Sequence, residues 1–500
     1  MSGTALPRRL PPPNGVRWSA PDAGSGPRLG PASTPVRWRG TDAAAPARRN
    51  GSAPSRTART HAQARATGVA RQRPGLGVTL RSLLAGGTAP AGRFMEMPRH
   101  RHQPEYLIVL AVVALTAVGI LMVYSSSAIR AYVAEQDTLA VVGPQLLWAL
   151  LGVVAMVVLM RIDYRVLRYL SVPMYVAALV MLVLVLLPGV GIRVGGSARW
   201  LQIGPLPALH PAEFAKLALV VYLAHWFSRR DTAVGSVRSG TIPFLLIAGP
   251  IVFLVLREPD LGTTGVLALS AVTMFFVAGA NLWQFVLLVP AGMAAVTMVV
   301  ISNAYQLERV RAFLDPWRDT GGAGFQTVQG LLALGLGGII GTGLGTSRTA
   351  GGLLLPNASN DFIFAIIGQE FGLIGGVLVI GLFVLLAYEG IKVAMHAPDT
   401  FGGLLAAGIT AWIIFQALIN IGVVVALVPI TGITLPFISA GGSSLTISLA
   451  AVGILLSVSR ETLPRGMWSD ADPDRGGRHG RAYLPGPGGR SVPDEADTAA

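Results

Sequence analysis

The sequence predicts an all-α integral membrane protein of ten transmembrane helices, with a large extracytoplasmic loop between helices 7 and 8. Hydrophobic residues form 52% of the chain and charged residues only 13%, whereas about 25% of a soluble domain is charged. From residue 105, apolar runs of about 17–25 residues, long enough to cross the hydrocarbon core, alternate with short polar joints. The runs lack the alternation of barrel strands. Because backbone groups in lipid must pair internally, the runs are predicted to be helices.

The ten predicted spans fill the membrane domain, residues 104–460. They lie at approximately 105–128, 141–160, 168–188, 212–228, 242–257, 261–280, 282–301, 361–391, 402–427 and 436–459. A polar joint bounds each span, and the fourth and fifth are short. No cleavable signal sequence precedes the first span, so that span is expected to direct its own insertion.

The two ends of the chain, residues 1–103 and 461–500, are predicted to be disordered cytoplasmic tails. Residues 1–101 hold 17 Arg and no Lys against three acids, whereas the remainder has 22 basic and 22 acidic residues. The net charge of +14 therefore belongs to the tail and does not indicate a nucleic-acid partner. The arginines either bind anionic membrane lipids or form a solvated arm. A start of translation at Met95 or Met97 is a third alternative.

Basic residues in two joints determine the predicted orientation. These residues are Arg161, Arg165 and Arg168 in one joint, and Arg229, Arg230 and Arg238 in the next but one. Basic residues of short loops stay on the cytoplasmic side, so ten spans place both termini in the cytoplasm. The loops at 189–211, 302–360 and 428–435 then lie outside, close to Glu213 and Asp361.

The loop 302–360 is too long for a simple connector, and a loop of this length usually has a function. An interfacial helix that ends at Pro316 is predicted within it. The apolar face of that helix consists of Tyr305, Val310, Phe313 and Trp317. Gly330–Gly345 mixes Leu, Ile and Gly and is predicted to dip into the protein.

Asp361 is the principal candidate for chemistry. It opens an apolar run after the long loop, a place where an ionisable group is costly and usually marks a cavity or substrate path. A partly desolvated carboxylate has a raised pKa and can act as a general base. The alternative is a structural acid, because Asp is favoured as a helix N-cap. Glu370, deeper in the same predicted helix, is a weaker candidate.

Glu213 and Lys216 form the second candidate site. Pro211 suits the first turn of a helix. Residues at i and i+3 share a helix face, so the two charges are predicted to pair at the mouth of a cavity. Arg199 and Arg193, in the preceding loop, add a cationic patch suited to a phosphate or pyrophosphate group. The alternative is that the pair only neutralises two charges while the helix packs.

Three further residues are weaker candidates. Asp260 lies at a Pro-broken joint, where a structural turn is the favoured interpretation. Ser443 and Ser444 open the last span among small residues, where packing and ligand contact are equally supported. The sequence has no cysteine, and its seven histidines show no paired metal spacing, so no dedicated metal site is predicted. Carboxylates at a pyrophosphate can nevertheless share Mg²⁺ or another divalent cation.

These segments together resemble the SEDS family (shape, elongation, division and sporulation), which includes FtsW, RodA and SpoVE. The resemblance lies between about 105 and 460 and is carried by Arg199–Pro205, Pro211–Lys216, Pro259–Gly262, Arg309–Trp317, Asp361–Gly376, Phe415–Gly422 and Leu435–Ser444. Phe364–Gly368 and Thr434–Phe437 are more similar to the FtsW and SpoVE branch, whereas Pro429–Ile433 is more similar to RodA.

The resemblance implies an inverting glycosyltransferase of the bacterial cytoplasmic membrane that polymerises lipid II into peptidoglycan strands at the outer face, in cell division. It implies a class B penicillin-binding protein and other division proteins as partners. The family's catalytic acid falls on Asp361, and its Glu and Lys fall on Glu213 and Lys216. The chain departs from the family pattern at Ser359 and Asn360, which replace His and Thr, at Ala212, which replaces Ser, and at Ala440, which replaces Tyr.

From this resemblance, Asp361 is expected to take the proton of the 4-hydroxyl group of an incoming lipid II. Lys216 and Arg199 are expected to balance charge on the undecaprenyl pyrophosphate leaving group, with Glu213 holding Lys216. Three alternatives stay open: a lipid II flippase or transporter, a RodA-type elongation polymerase, and a scaffold without chemistry. No internal repeat is evident, which disfavours a transporter.

Overall fold

The computed structural model describes residues 104–135, 137–194, 197–202, 208–229, 234–347, 355 and 358–461. At residues 129–130, 133–135, 193–194 and 197–198 it describes the backbone alone. The two predicted tails lie outside the described residues, apart from Glu461 at the start of the second.

Helices account for most of the described chain. They are α1 (Tyr106–Glu135), α2 (Val142–Arg161), α3 (Val166–Leu186), α4 (Pro211–Ser228), α5 (Ile242–Arg257), α6 (Leu261–Val277), α7 (Leu282–Ser302), α8 (Ala304–Leu314), α9 (Phe325–Gly337), α10 (Ile363–His396), α11 (Thr400–Val424) and α12 (Gly442–Ser459). A π-helical turn, Val237–Thr241, leads into α5.

Eight helices of the described part are long and apolar enough to cross a membrane: α1, α2, α3, α5 with its π-helical turn, α7, α10, α11 and α12. α6 is apolar but shorter. α4 has 18 residues, but Glu213, Lys216 and His225 lower its hydropathy. Each of the ten predicted spans coincides with one helix. The start of α12 differs most from the predicted starts: it begins six residues later than the predicted 436, because the backbone of Ser439 and Ala440 bonds to other segments.

The all-α prediction is incomplete, because the loop at 189–211 contains an antiparallel hairpin. Strand β1 (Gly191–Val194) pairs with β2 (Ser197–Leu201), with a register shift between Ile192 and Arg193. The strands have four and five residues, too few for an alternating pattern to stand out in the sequence. The hairpin directs Arg199 towards the turn between α5 and α6.

The helices differ in how far they are enclosed by protein. In α12, 83% of the most apolar 18-residue stretch is buried, whereas none of the corresponding stretch of α7 is buried. α4 is also buried along most of its length. A helix with exposed apolar side chains suits a lipid environment, so α7 lies at the periphery and α4 and α12 lie in the interior.

α10 is interrupted at Gly372, whose φ of 65° and ψ of −162° are not helical. The segment after α9 bonds to the chain at this interruption, from Leu373 N to Gly338 O at 2.9 Å and from Ile374 N to Ile339 O at 3.2 Å. The pairing confirms that Gly330–Gly345 contacts α10, whereas Leu336, Ile339 and Ile340 of this segment are exposed, so the prediction that it dips into the protein holds only in part. The helix predicted to end at Pro316 is α8, which ends at Leu314.

Candidate active site

Asp361 lies in the turn before α10 and does not cap that helix. The N-cap is Phe362, and no side-chain bond caps the helix. The interpretation of Asp361 as a structural N-cap is therefore wrong. Its backbone carbonyl accepts a hydrogen bond from Asn420 Nδ2 at 2.9 Å. Among the side chains and backbone groups that the structure describes, none donates a hydrogen bond to the Asp361 carboxylate.

The electrostatic surroundings of Asp361 come from several elements. Burial raises the pKa of Asp361 to about 6, with Asp260 also raising it and Arg309 and Arg199 lowering it. The side chain is nevertheless only half-buried. A carboxylate that is ionised at neutral pH, reachable from solvent and without a hydrogen bond from the described residues can accept a proton.

The backbone holds the turn that carries Asp361. Asn420 Nδ2 also donates to Ile433 O at 2.7 Å, and Ser439 Oγ donates to Asn360 O at 2.6 Å. These bonds tie the turn to the segment between α11 and α12. The carboxylate is thus placed through main-chain bonds while its own oxygens stay available.

Arg199 reaches from β2 to the turn between α5 and α6. Its Nε donates to Glu258 O at 3.1 Å and its Nη2 to Pro259 O at 2.7 Å. It forms no ion pair with any residue of the described part. A guanidinium group bonded only to carbonyls keeps its positive charge available for an anion. Arg193 lies on β1 with its side chain outside the described structure, so its role stays a prediction.

The same turn carries two acids in contrasting environments. Asp260 caps α6, because Oδ1 accepts from Thr263 N at 3.0 Å and Oδ2 from Thr263 Oγ1 at 2.8 Å, so the prediction of a structural turn is confirmed. Glu258 is 1% exposed, and neither carboxyl oxygen has a partner among the described residues. Burial, and next the charge of Asp260, raises the pKa of Glu258 to about 8, against the charge of Arg199.

Arg309, on α8, is a candidate that the sequence reasoning missed. Its Nη1 donates to Ile430 O at 3.2 Å. Its guanidinium carbon lies 4.5 Å from the centre of the Tyr305 ring, whose hydroxyl group accepts from Nη2. Its charge lowers the pKa of Asp361. Arg309 is the first residue of Arg309–Trp317, one of the segments that carry the family resemblance. Its side chain was not among the predicted site residues. We refer to Arg199, Glu258, Asp260, Arg309 and Asp361 as the Asp361 cluster.

The predicted pair of Glu213 and Lys216 is present, with Nζ 2.8 Å from Oε1. Its predicted place at the mouth of a cavity is wrong, because Lys216 is 1% exposed and Glu213 is 6% exposed. Lys216 Nζ also donates to Gln416 Oε1 at 2.7 Å and lies 5.1 Å from the centre of a Trp412 ring. The ammonium group is enclosed because α4 is surrounded by other helices.

One face of α11 connects Lys216 with the Asp361 turn. Trp412, Gln416 and Asn420 recur every four residues and share this face. Gln416 Oε1 accepts from both Lys216 Nζ and Trp412 Nε1, the latter at 2.9 Å. Asn420, one turn further along, holds the Asp361 carbonyl. The two separately predicted candidate groups are therefore joined through residues that sequence reasoning did not single out.

The weaker candidates contact groups of the protein itself. Ser125 Oγ on α1 donates to Glu370 Oε1 at 2.6 Å, close to the interruption of α10. Ser444 Oγ lies 3.2 Å from Thr434 Oγ1, and Ser443 is 3% exposed. These contacts favour packing over ligand contact for both serines.

The same residues offer few ligands for a metal ion. Within the described chain, no group of three or more His, Asp or Glu side chains is arranged to hold a metal ion. Asp260 uses its carboxylate oxygens on Thr263, and Glu258 is 1% exposed, which leaves Asp361 as the acid of the cluster whose carboxylate is reachable from solvent. One such carboxylate suits a Mg²⁺ ion only when a phosphate ligand and water provide the other oxygens.

Comparisons with known proteins agree on one family. The profile of a family described as "Cell cycle protein", covering FtsW, RodA and SpoVE, matches residues 105–463. The chain is 43% identical over 364 residues to "Stage V sporulation protein E" of Bacillus subtilis (strain 168), covering 73% of this chain and 99% of that protein. It is 41% identical over 358 residues to "Probable peptidoglycan glycosyltransferase FtsW" of Trichlorobacter lovleyi, covering 71% and 93%.

Solved structures give the same result. A chain from "Structural coordination of polymerization and crosslinking by a peptidoglycan synthase complex" superposes with a TM-score of 0.59 at 31% identity, covering 72% of this chain and 98% of that one. "Rod shape determining protein RodA" of Thermus thermophilus superposes with a TM-score of 0.52 at 28% identity, with the same coverage of 72% and 98%. The membrane domain therefore shares the fold of these proteins.

Proposed function

The chain belongs to the FtsW, RodA and SpoVE family of cell-cycle proteins and is a multi-pass membrane protein, and on that premise we propose that it is a peptidoglycan glycosyltransferase. It polymerises lipid II into glycan strands at the outer face of the bacterial cytoplasmic membrane. Its similarity to proteins named FtsW and stage V sporulation protein E supports a role in division over a RodA-type role in elongation.

We further propose that α4 and α6 complete a set of ten transmembrane helices with both termini in the cytoplasm. Arg165 pairs with both Asp399 and Glu461, which brings an Arg-rich joint, the start of α11 and the end of α12 together at one end of the molecule. Asn420 and the Asp361 turn lie about 30 Å away along α11. Basic joints favour the cytoplasmic side, so the Asp361 cluster belongs outside.

In the proposed reaction, Asp361 accepts the proton of the 4-hydroxyl group of the incoming lipid II. The hydroxyl oxygen forms a bond to the anomeric carbon of the growing strand from the face opposite the leaving group. The bond from that carbon to the pyrophosphate oxygen breaks, and its electron pair leaves with undecaprenyl pyrophosphate. The carbon is inverted, and the reaction needs one general base and charge stabilisation at the pyrophosphate.

Arg199 and Arg309 are the proposed pyrophosphate ligands. Both influence the pKa of Asp361, and each donates hydrogen bonds to backbone carbonyls while carrying a charge that no described acid pairs. Lys216 was expected to balance charge on the leaving group, but we assign it a positioning role. It donates to Gln416 and thereby fixes the face of α11 that carries Asn420. A divalent cation bound together with the pyrophosphate would be held on the protein side by the Asp361 carboxylate and would supply neutralisation of the phosphate charge.

The observation that carries the proposal is the carboxylate of Asp361, which accepts no hydrogen bond from the described residues and whose pKa is lowered by the charges of Arg309 and Arg199. The test uses the purified full chain together with its class B penicillin-binding protein partner and labelled lipid II. We expect glycan polymer from the wild-type chain, and only a trace from Asp361→Asn. Polymer from Asp361→Asn at the wild-type rate would contradict the proposed role of this residue. No polymer from the wild-type chain, with or without the partner, would contradict the proposed activity.

A lipid II flippase is the second candidate, and the interruption of α10 favours it. Transporters often bind substrates at discontinuous helices near the bilayer midplane, and Glu370, a buried acid, lies two residues before Gly372. The same chain in liposomes distinguishes the activities. Movement of labelled lipid II between leaflets without polymer formation supports the flippase, and polymer formation without movement supports the polymerase.

The proposed partner, a class B penicillin-binding protein, follows from the relative described as part of a peptidoglycan synthase complex that coordinates polymerisation and crosslinking. Co-purification of the full chain with such a partner from the same cell tests this assignment. Other division proteins and anionic lipids are further proposed partners.

A further inference from the structure

Glu258 has a carboxyl group without a hydrogen-bond partner among the residues that the structure describes. It is 1% exposed, and both oxygens are buried and unbonded within the described chain. An unsatisfied buried polar group costs about 1–3 kcal/mol, and a buried ionised carboxylate costs more. Most buried polar side chains in proteins are hydrogen-bonded. A group of this kind next to a candidate active site calls for a functional explanation.

Charged groups from several elements surround the turn that carries Glu258. Asp260 lies two residues further on, and His210, at the start of α4, has Nε2 3.9 Å from Asp260 Oδ2. Arg199 comes from β2 and donates to the backbone carbonyl of Glu258 itself. Arg309 from α8 and Asp361 from the α10 turn complete the set, since Asp361 is influenced by Arg309, Asp260 and Arg199.

Arg199 is the cation that an ionised Glu258 would attract most directly. Its guanidinium group bonds to the carbonyls of Glu258 and Pro259, so it is anchored beside the carboxyl group without forming an ion pair within 4.0 Å in the described structure. A negative charge on Glu258 would compete with an anionic ligand for Arg199. A neutral carboxyl group leaves the charge of Arg199 available.

We infer that Glu258 is a positioning residue that works in its neutral, protonated form. The neutral carboxyl group leaves Arg199 free to bind the pyrophosphate of a polyprenyl lipid. On ionisation, the carboxylate attracts Arg199 and draws it away from that ligand. This inference rests on the proposed function, because it assigns the pyrophosphate of the same substrate to Arg199. Burial and the neighbouring charge of Asp260 raise the pKa of Glu258 to about 8, which favours the neutral form at neutral pH. Ligand binding is then lost as the pH rises through that value.

The test measures binding of undecaprenyl pyrophosphate, and separately polymerisation, by the full chain with its partner at about pH 7 and about pH 9. For a group of pKa about 8, the protonated fraction falls about tenfold over this interval. We expect wild-type affinity for the lipid to fall by about that factor. Glu258→Gln and Glu258→Ala cannot ionise, and each should keep the same affinity at both pH values, whatever its affinity at pH 7.

Glu308→Gln is the matched control, because Glu308 is an exposed acid on α8 beside Arg309. It should lose affinity with rising pH as the wild-type chain does. An alkaline loss of the wild-type size in both Glu258 variants would overturn the inference. So would a wild-type affinity that does not change between the two pH values.

A measurement on the wild-type chain covers the case in which both variants fail to fold. The infrared carbonyl stretch of a protonated carboxyl group should be present at about pH 7 and should fade towards about pH 9, and its absence at the lower pH would overturn the inference. Failure of the proposed function is distinguishable. If no polymer forms but the lipid still binds with the expected pH dependence, the inference about Glu258 stands alone. If polymer forms and the Glu258 variants show the wild-type alkaline loss, only the inference fails.

Discussion

Asp361 and Asp399 both lie just before a long helix, yet their carboxylates have opposite surroundings. Asp399 caps α11 through Gly402 N at 2.7 Å and accepts from Tyr164 Oη and Arg165 Nε at 3.0 Å each. The carboxylate of Asp361 caps no helix and accepts no hydrogen bond from the described residues. The comparison shows how the surroundings decide the role of an aspartate. Its carboxylate has a structural role where hydrogen-bond donors occupy its oxygens, and it is available for chemistry where they do not.

The surroundings of Asp399 are built to keep it occupied. Arg168 adds a contact at 3.4 Å, and Arg165 also pairs with Glu461 at the end of α12. Burial, reinforced by Asp399, raises the pKa of the Tyr164 hydroxyl group, so that it remains a donor. We call these residues, Tyr164, Arg165, Arg168, Asp399 and Glu461, the Asp399 cluster. They join helices at one end of the molecule, whereas the Asp361 cluster leaves charges unpaired at the other.

The largest expected effect separates the two aspartates by activity. Asp361→Asn removes the proposed base without changing size, and loss of a general base typically lowers a rate by about 10²–10⁴-fold. Its melting temperature should stay close to wild type, because no described hydrogen bond to the carboxylate is lost. Polymer formation from labelled lipid II and thermal unfolding are measured on the same preparations. A near-normal rate of polymerisation by Asp361→Asn would contradict its role as the base. Severe unfolding of this variant would contradict the claim that its carboxylate, unlike that of Asp399, has no structural role.

The next prediction concerns the main-chain support of the Asp361 turn. Asn420→Ala removes the donor shared by the carbonyls of Asp361 and Ile433, so both carbonyls lose a buried partner. We expect a destabilisation of about 2–4 kcal/mol and a rate loss of about 10–100-fold from misplacement of the base. Asn281→Ala is the control, because it removes the cap of α7, remote from the cluster in the fold. An equal loss of activity per folded molecule in both variants would contradict a positioning role for Asn420.

A smaller effect is expected at the other end of the molecule. Asp399→Asn keeps the shape but removes the charge that Arg165 and Arg168 contact, and these side chains are partly exposed. We expect a decrease of about 1–2 °C in melting temperature, because about 1 kcal/mol corresponds to about 2–4 °C in a protein of 150–250 residues and to less in a larger one. Polymerisation per folded molecule should be unchanged. A hundredfold loss of activity would show that this cluster takes part in the reaction.

Most of the membrane fold was predictable because each span is a long apolar run bounded by charges. Helix α8 was predictable for a similar reason, since its apolar residues recur at helical spacing before Pro316. The β-hairpin was not, because its strands are short and register is a property of pairing. The interruption of α10 at Gly372 was also missed, because the bonds that stabilise it come from a segment more than thirty residues earlier.

The candidate site was predictable in part. Asp361, Arg199, Glu213 and Lys216 stand out as charges among apolar residues, but their partners do not. Gln416 and Asn420 have functions that arise only where α11 meets α4 and the Asp361 turn. Depth was equally hidden, because a sequence shows that Glu213 and Lys216 share a helix face but not whether that face meets solvent or protein.

The pH dependence of polymerisation at saturating lipid II tests most directly whether Asp361 must lose its proton before it can act. Burial sets the pKa of Asp361 at about 6, and the charge of Arg309 lowers it. The base works when deprotonated, so the wild-type rate should rise through about pH 6 as the pH increases. In Arg309→Gln the carboxylate loses a stabilising cation, so its pKa rises and the same limb should move to higher pH. A wild-type rate that is flat through this range, or a limb that stays in place in Arg309→Gln, would contradict the account.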